Sequence, residues 1–367
     1  MKILALPNAL KGSLSARQTG QVFARELSKR HTVRICPISD GGDGFLDFFK
    51  TIAPNANTIF TTAQNAFSKN KRVPFLLLPD GKTAVVETAR ICGLGSTKKD
   101  ELDPLGATSY GVGQVLLAAI RRGAKTIYVG LGGVACNDGG AGLAAACGAR
   151  LMNKNGREIP PGAQALLKLA RVDLTPLKKQ FKDIKIIGIA DVENPLLGPL
   201  GSARVFGPQK GATPKQVQLL ERALTVWART LQRETGKKIC HTKSTGSAGA
   251  IAAGLYGCLG AKLCLGTREL FKKVQLENQF KWADLIIATE GKLDEQTFYG
   301  KAPGTVLQLA KKHKKPVLFI CGQVAEKICH SPQLPQVKIA ALIDFAKNEN
   351  DAKKHAAKYI RRVCKTI

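Results

Sequence analysis

The chain has 367 residues, 44% of them hydrophobic, with 37 glycines and a formal net charge of +29. That length and apolar content exclude a disordered tail or a small disulfide-stapled domain and suggest two α/β domains. The basic residues are spread in short runs such as Lys98-Lys99 and Lys311-Lys312 without interleaved aromatics, which describes a solvated basic surface and argues against a nucleic-acid partner.

The ten cysteines form no C-x-x-C pair and meet no histidines at zinc-finger spacing, so they read as buried reduced thiols. No run reaches the roughly 20 apolar residues a bilayer span needs, and the apolar start is stopped at Pro7. A cytoplasmic protein without a membrane partner is expected, and a homo-oligomer is left open.

In chain order, Lys2–Pro7 reads as a strand, Ala16–Lys29 as an amphipathic helix and Thr32–Ile38 as a second strand ending in a glycine-rich turn. This alternation favours a parallel sheet with crossover helices. Short strands follow from Thr58, with Pro79-Asp80-Gly81-Lys82 predicting a hairpin between Val73–Leu78 and Thr83–Glu87. A helix at Gly111–Arg122 feeds the strand Thr126–Val129, and further strands fall at Lys185–Ala190, Leu285–Thr289, Val317–Cys321 and Lys338–Leu342. Helical stretches lie near Pro214–Thr235, Ser247–Leu259 and Thr305–Lys312. The simplest architecture returns the C-terminal segment to the first sheet. It gives a Rossmann-like α/β domain from residues 1–60 and 285–367 and a smaller mixed α/β domain with a β-rich segment over 61–284.

Five strand ends share one design, in which an apolar strand gives way to small residues and charged or amide side chains, the place where open α/β sheets collect ligands. Asn8-Ala-Leu-Lys11-Gly-Ser13 precedes a helix N-terminus, which attracts anions, although a helix capped by Ser13 or Ser15 explains it equally. Ser39-Asp40-Gly-Gly-Asp43-Gly44 places two carboxylates and three glycines in six residues, suited to Mg²⁺ or a polyol. Gly130-x-Gly132-x-x-Ala135, with Glu158 downstream, matches a loose dinucleotide fingerprint, yet Asn137-Asp138-Gly-Gly140 suits phosphate or metal better. An NAD(P)-dependent oxidoreductase acting on a small hydroxy acid, or a non-catalytic anion- or nucleic-acid-binding protein, therefore stays open. Asp191 ends the Lys185 strand, Lys210 follows in Phe206-Gly-Pro-Gln-Lys210-Gly, and Glu290-Gly-Lys-Leu-Asp294 with Lys301 closes the series.

Taken in order with Gly246–Gly254, these loops resemble the bacterial glycerate kinase family across almost the whole chain. The resemblance implies two α/β domains with the active site in a cleft, and transfer of the ATP γ-phosphoryl group to D-glycerate with Mg²⁺, giving 2-phosphoglycerate in preference to 3-phosphoglycerate. Under it, Asp191 is the base or hydroxyl-orienting group, and Lys11 and Lys210 meet phosphate or the glycerate carboxylate. Asn8, Ser13, Asp40, Asp43, Asn137 and Asp138 serve the substrate, Gly132, Gly133, Glu290, Asp294 and Lys301 the nucleotide, and Asp191 with Asp138 the metal. The chain departs from the family pattern where Asn8-Ala9-Leu10 replaces Asp-Ser-Phe, Asp43 a glutamate, Phe45 and Val134 threonines, Cys136 a serine and Gln114 a glutamate.

Overall fold

The computed structural model describes residues 1–10, 12–298, 302–325 and 337–367. Its strands, in chain order, are β1 (Lys2–Leu6), β2 (Thr32–Ile35), β3 (Asn57–Gln64), β4 (Asn70–Leu77), β5 (Thr83–Glu87), β6 (Thr126–Leu131), β7 (Arg150–Met152), β8 (Arg171–Asp173), β9 (Lys185–Ala190), β10 (Lys262–Leu265), β11 (Leu285–Leu293), β12 (Val317–Val324) and β13 (Val337–Ala341). The chain divides into two compact units, one of Met1–Asp40, Asp47–Pro54 and Gly266–Ile367, the other of Gly41–Leu46 and Asn55–Leu265.

In the first unit, five parallel strands run in the order β13-β12-β11-β1-β2, so the C-terminal strands join the sheet that the first strand begins. Ile3 and Ala5 face one layer and Leu4 and Leu6 the other, and both layers are apolar, as a parallel sheet covered on two sides requires. One face carries the helix Ala16–Leu27, which buries Phe23 and Leu27 on the same stripe and packs on the helix Ala356–Cys364. Its start is fixed by Ser15 and Gln18 in a reciprocal capping box. The opposite face is covered through Phe271, Phe280 and Val306. This is the expected Rossmann-like arrangement.

The second unit holds a six-stranded sheet in the order β10-β9-β6-β5-β4-β3 and a small antiparallel pair, β7-β8. β5, β6, β9 and β10 are parallel, whereas β3, β4 and β5 form an antiparallel meander whose last turn is the predicted hairpin, closed by Asp80 accepting the Lys82 and Thr83 amides. The helix Pro214–Thr235 is framed by the Thr213–Gln216 capping box and by Gly236 at φ +69°. It buries Trp227 completely, and the indole Nε1–H donates to Gly139 O at 2.8 Å, tying the helix to the glycine-rich loop after β6.

Three local expectations are corrected. The mixed unit is the larger of the two, because everything from β3 to β10 packs around one continuous core. The helix expected from Ser247 begins at Ile251, since Ala248, Gly249 and Ala250 all hold left-handed backbone (φ +54°, +59° and +64°). Strand β11 runs past Thr289 to Leu293, because its edge keeps pairing with β12 as far as Val324. Among the described residues no helix is long and apolar enough to cross a membrane.

Candidate active site

The parallel strands β5, β6 and β9 of the second unit end side by side, and each end carries polar groups. After β6 the backbone makes a bare turn at Gly132 and Gly133. A Cβ on Gly132 would stand 2.9 Å from Asp191 Oδ2 and 2.8 Å from Gly42 Cα, and one on Gly133 would stand 3.3 Å from Asp43 Oδ1. Two carboxylates from separate loops therefore lean on one turn that has no side chains. Asp191 is half-buried directly beyond β9, and Asp43 is exposed. The segment after Asp191 is strapped down, with Ser247 Oγ donating to Val192 O at 3.1 Å and the Gly246 amide donating to Asn194 O at 3.0 Å.

Asp138 is held from several sides. It is fully buried, and its Oδ2 accepts from Ser109 N (2.7 Å), Ser109 Oγ (2.9 Å), Thr108 Oγ1 (3.1 Å) and Gly142 N (3.1 Å), while Oδ1 accepts from Gly140 N (3.1 Å). Four of these five donors converge on Oδ2, so the carboxylate is held firmly within its own loop. Burial, the largest influence, pushes its carboxyl up against the pull of these donors. It fastens the loop to the start of the helix Tyr110–Arg121. Asn137 beside it is 1% exposed and donates to Pro104 O at 3.2 Å.

Lys210 is buried in the same way. It is 3% exposed, and its Nζ donates to Cys136 O at 2.7 Å, beneath the loop. Burial pushes its ammonium down, opposed in part by Asp138 and Asp191. Gly249 completes this packing, because a Cβ there would lie 1.9 Å from Cys136 O and 2.8 Å from Lys210 Nζ.

The remaining expected residues lie in the first unit or outside the described residues. Asn8 Oδ1 accepts the Ala9 amide, and the Asn8 backbone exchanges hydrogen bonds with Thr289 Oγ1 at 2.9 Å each way, joining the ends of β1 and β11. Ser13 Oγ donates to Lys353 O at 2.6 Å, and the helix is capped by Ser15. The Asp40 backbone carbonyl abuts Gly266. Thr297 Oγ1 links Glu290 Oε2 (2.8 Å) to the Asp294 amide (3.2 Å). Lys11 and Lys301 lie outside the described residues.

Sequence reasoning missed Glu87. It is 1% exposed at the end of β5, and its carboxylate accepts from Leu46 N at 2.9 Å and Gly44 N at 3.3 Å and pairs with Arg90 Nε at 3.4 Å. The available signal was an acid closing the apolar run Ala84-Val85-Val86 at a parallel-strand end. Burial, the largest influence, pushes the carboxyl from 4.5 up to about 6. A raised acid binds its proton more tightly in the folded state. The resulting stabilisation is complete below the ordinary value and disappears as pH rises through 6, about 2 kcal/mol in all. Between pH of about 4.5 and 6.5, the unfolding free energy of Glu87→Gln should therefore fall less than that of the wild type by about that amount. Urea melts across the window measure it, and equal slopes would contradict it.

The dinucleotide alternative does not survive the geometry. The loop after β6 is no tight βα turn: Gly133 O accepts the Leu94 amide at 2.7 Å, and the Ala135 amide donates to Cys92 O at 2.8 Å. Glu158 lies in the exposed β7-β8 region, paired with Arg150 at 3.3 Å. A divalent ion fits better. Among the described residues no three His, Cys, Asp or Glu side chains converge, but Mg²⁺ bound with phosphate needs only one or two carboxylates, which Asp43 and Asp191 offer beside the glycine cradle.

Comparison with known proteins decides the family. Residues 3–367 match the model of the glycerate kinase family. The chain belongs to the glycerate kinase family. Glycerate kinase of Bacillus subtilis (strain 168) is 34% identical over 100% of this chain and 97% of its own length. Glycerate 2-kinase of Escherichia coli (strain K12) is 34% identical over 89% and 87%. A solved Salmonella typhimurium LT2 chain named for glycerate kinase 2 superposes with a TM-score of 0.78 at 32% identity, over 100% of this chain and 98% of its own. Membership of the glycerate kinase family fits the observed pairing of a parallel sheet with a mixed sheet, and places the glycine loops in a phosphotransferase.

Proposed function

We propose that the protein transfers the γ-phosphoryl group of ATP to D-glycerate and releases 2-phosphoglycerate, with Mg²⁺ as its metal. The observation that carries this reading is the pair Asp43 and Asp191 leaning on the bare Gly132-Gly133 turn. Phosphoryl transfer asks a protein mainly to align reactants and to stabilise charge on the transferring oxygens. A turn without side chains lets phosphate approach the backbone closely. Asp191 accepts the proton of the attacking hydroxyl and orients it. Asp43 and the second oxygen of Asp191 are the residues that would hold Mg²⁺, whose chemistry when bound is to neutralise phosphate charge. Asp138 and Lys210 hold the loop rigid from below. We assign Glu290 and Asp294 to the nucleotide, and the buried thiols fit residence in the cytoplasm.

Release of ADP from Mg-ATP should depend on added D-glycerate. Glycerate-dependent reduction of NAD(P) without ADP release would overturn this reading.

A further inference from the structure

Glu87 and its neighbour Thr88 each hold a different loop. The Glu87 carboxylate grips the amides of Gly44 and Leu46, directly after Asp43. The Thr88 hydroxyl, fully buried, donates to Gly130 O at 2.7 Å with Gly132 O at 3.3 Å, at the start of the bare turn. The short helix that follows, Thr88–Cys92, continues the attachment through the Leu94 and Ala135 amide bonds across to the same turn. Nothing in sheet packing asks for an acid here, since Ala84, Val85 and Val86 fill the preceding positions of β5. A buried carboxylate is costly, and here the loop amides and Arg90 offset part of its desolvation. Glu87 also lies within electrostatic reach of Asp43.

We propose that Glu87 and Thr88 form a clasp that sets the Asp43 loop against the Gly132-Gly133 turn, and so act as positioning residues for phosphoryl transfer. This rests on the reading under Proposed function. Misplacement by about 1 Å can cost roughly a hundredfold in rate, so the clasp should show in kcat more than in KM.

The test compares the full-length wild type with Glu87→Ala, Glu87→Gln, Thr88→Val and Thr88→Ser. Steady-state kinetics with Mg-ATP and D-glycerate are combined with hydrogen exchange of peptides spanning 41–46 and 130–135. Glu87→Ala and Thr88→Val should lower kcat by about 30- to 100-fold with KM changed less than about threefold, and Thr88→Ser should recover most of the loss. Exchange should accelerate in 41–46 for the Glu87 variants and in 130–135 for Thr88→Val. Should the larger changes prevent folding, Glu87→Gln decides the question, with a lowered kcat and faster exchange in 41–46 expected. Glu87→Ala, Glu87→Gln and Thr88→Val all within about threefold of wild-type kcat, or unchanged exchange in both segments, would overturn the clasp. A wild type with no glycerate-dependent turnover would sink the phosphoryl-transfer reading instead, while local acceleration of exchange would still support the clasp and its absence would refute it.

Discussion

Replacing Asp191 by Asn should lower kcat by roughly three orders of magnitude and leave the melting temperature within a few degrees of wild type. The side chain stands half-buried beyond the last residue of β9, outside the hydrophobic core, so the substitution opens no cavity. The amide keeps the shape of the carboxylate but cannot accept the proton of an attacking hydroxyl. It also removes a negative oxygen beside the Gly132 turn, where Asp191 Oδ2 would contact any Cβ. The two losses act on the same step and should not add independently. ADP release at saturating Mg-ATP and D-glycerate, with scanning calorimetry on the same samples, separates turnover from folding. Near-wild-type turnover would remove Asp191 from the catalytic assignment.

The second large effect is on the scaffold. Gly249→Ala places a Cβ 1.9 Å from Cys136 O, a backbone atom that cannot swing aside, and does so in left-handed backbone at φ +59°. Overpacking and the left-handed penalty together should destabilise the protein by about 3 kcal/mol or more, roughly 6–12 °C in the melting temperature of the unit that holds it. The added Cβ would also stand 2.8 Å from Lys210 Nζ, so activity should fall with stability. Gly156→Ala is the matched control, because that glycine is also left-handed (φ +73°) but has open space where the Cβ would go. It should cost only about 1–2 kcal/mol. Equal melting temperatures for the two variants would refute the packing argument at Gly249.

The parts of the fold that were legible are those governed by local pattern. The apolar runs of β1, β6, β9 and β11, the capped helix at Pro214 and the Asp80-Gly81 turn declare themselves within a few residues of sequence. The return of β11 to β1 followed from strand alternation and was found in register, Ile3 opposite Leu285. The site was legible as a set of glycine loops, because close backbone approach leaves glycine as its trace. Individual roles were not, because they depend on burial set by distant segments. Asp138 reads as a ligand in Asn137-Asp138-Gly-Gly, and nothing in that run reveals the hydrogen bonds it accepts from Thr108 and Ser109, about thirty residues earlier. Lys210 reads as a cation for phosphate or carboxylate, and nothing near it in the chain reveals that its Nζ lies under Cys136 O and against Gly249. Glu87 escaped notice because the amides it accepts from lie more than forty positions away in the chain.

The most direct test of the central claim is ³¹P NMR of the wild-type protein incubated with Mg-ATP and D-glycerate. The account predicts loss of the ATP γ-phosphate signal with matching growth of a 2-phosphoglycerate resonance, and no product when Asp191→Asn is used at the same concentration. Absence of any phosphoglycerate signal from the wild type with either glycerate enantiomer would contradict it.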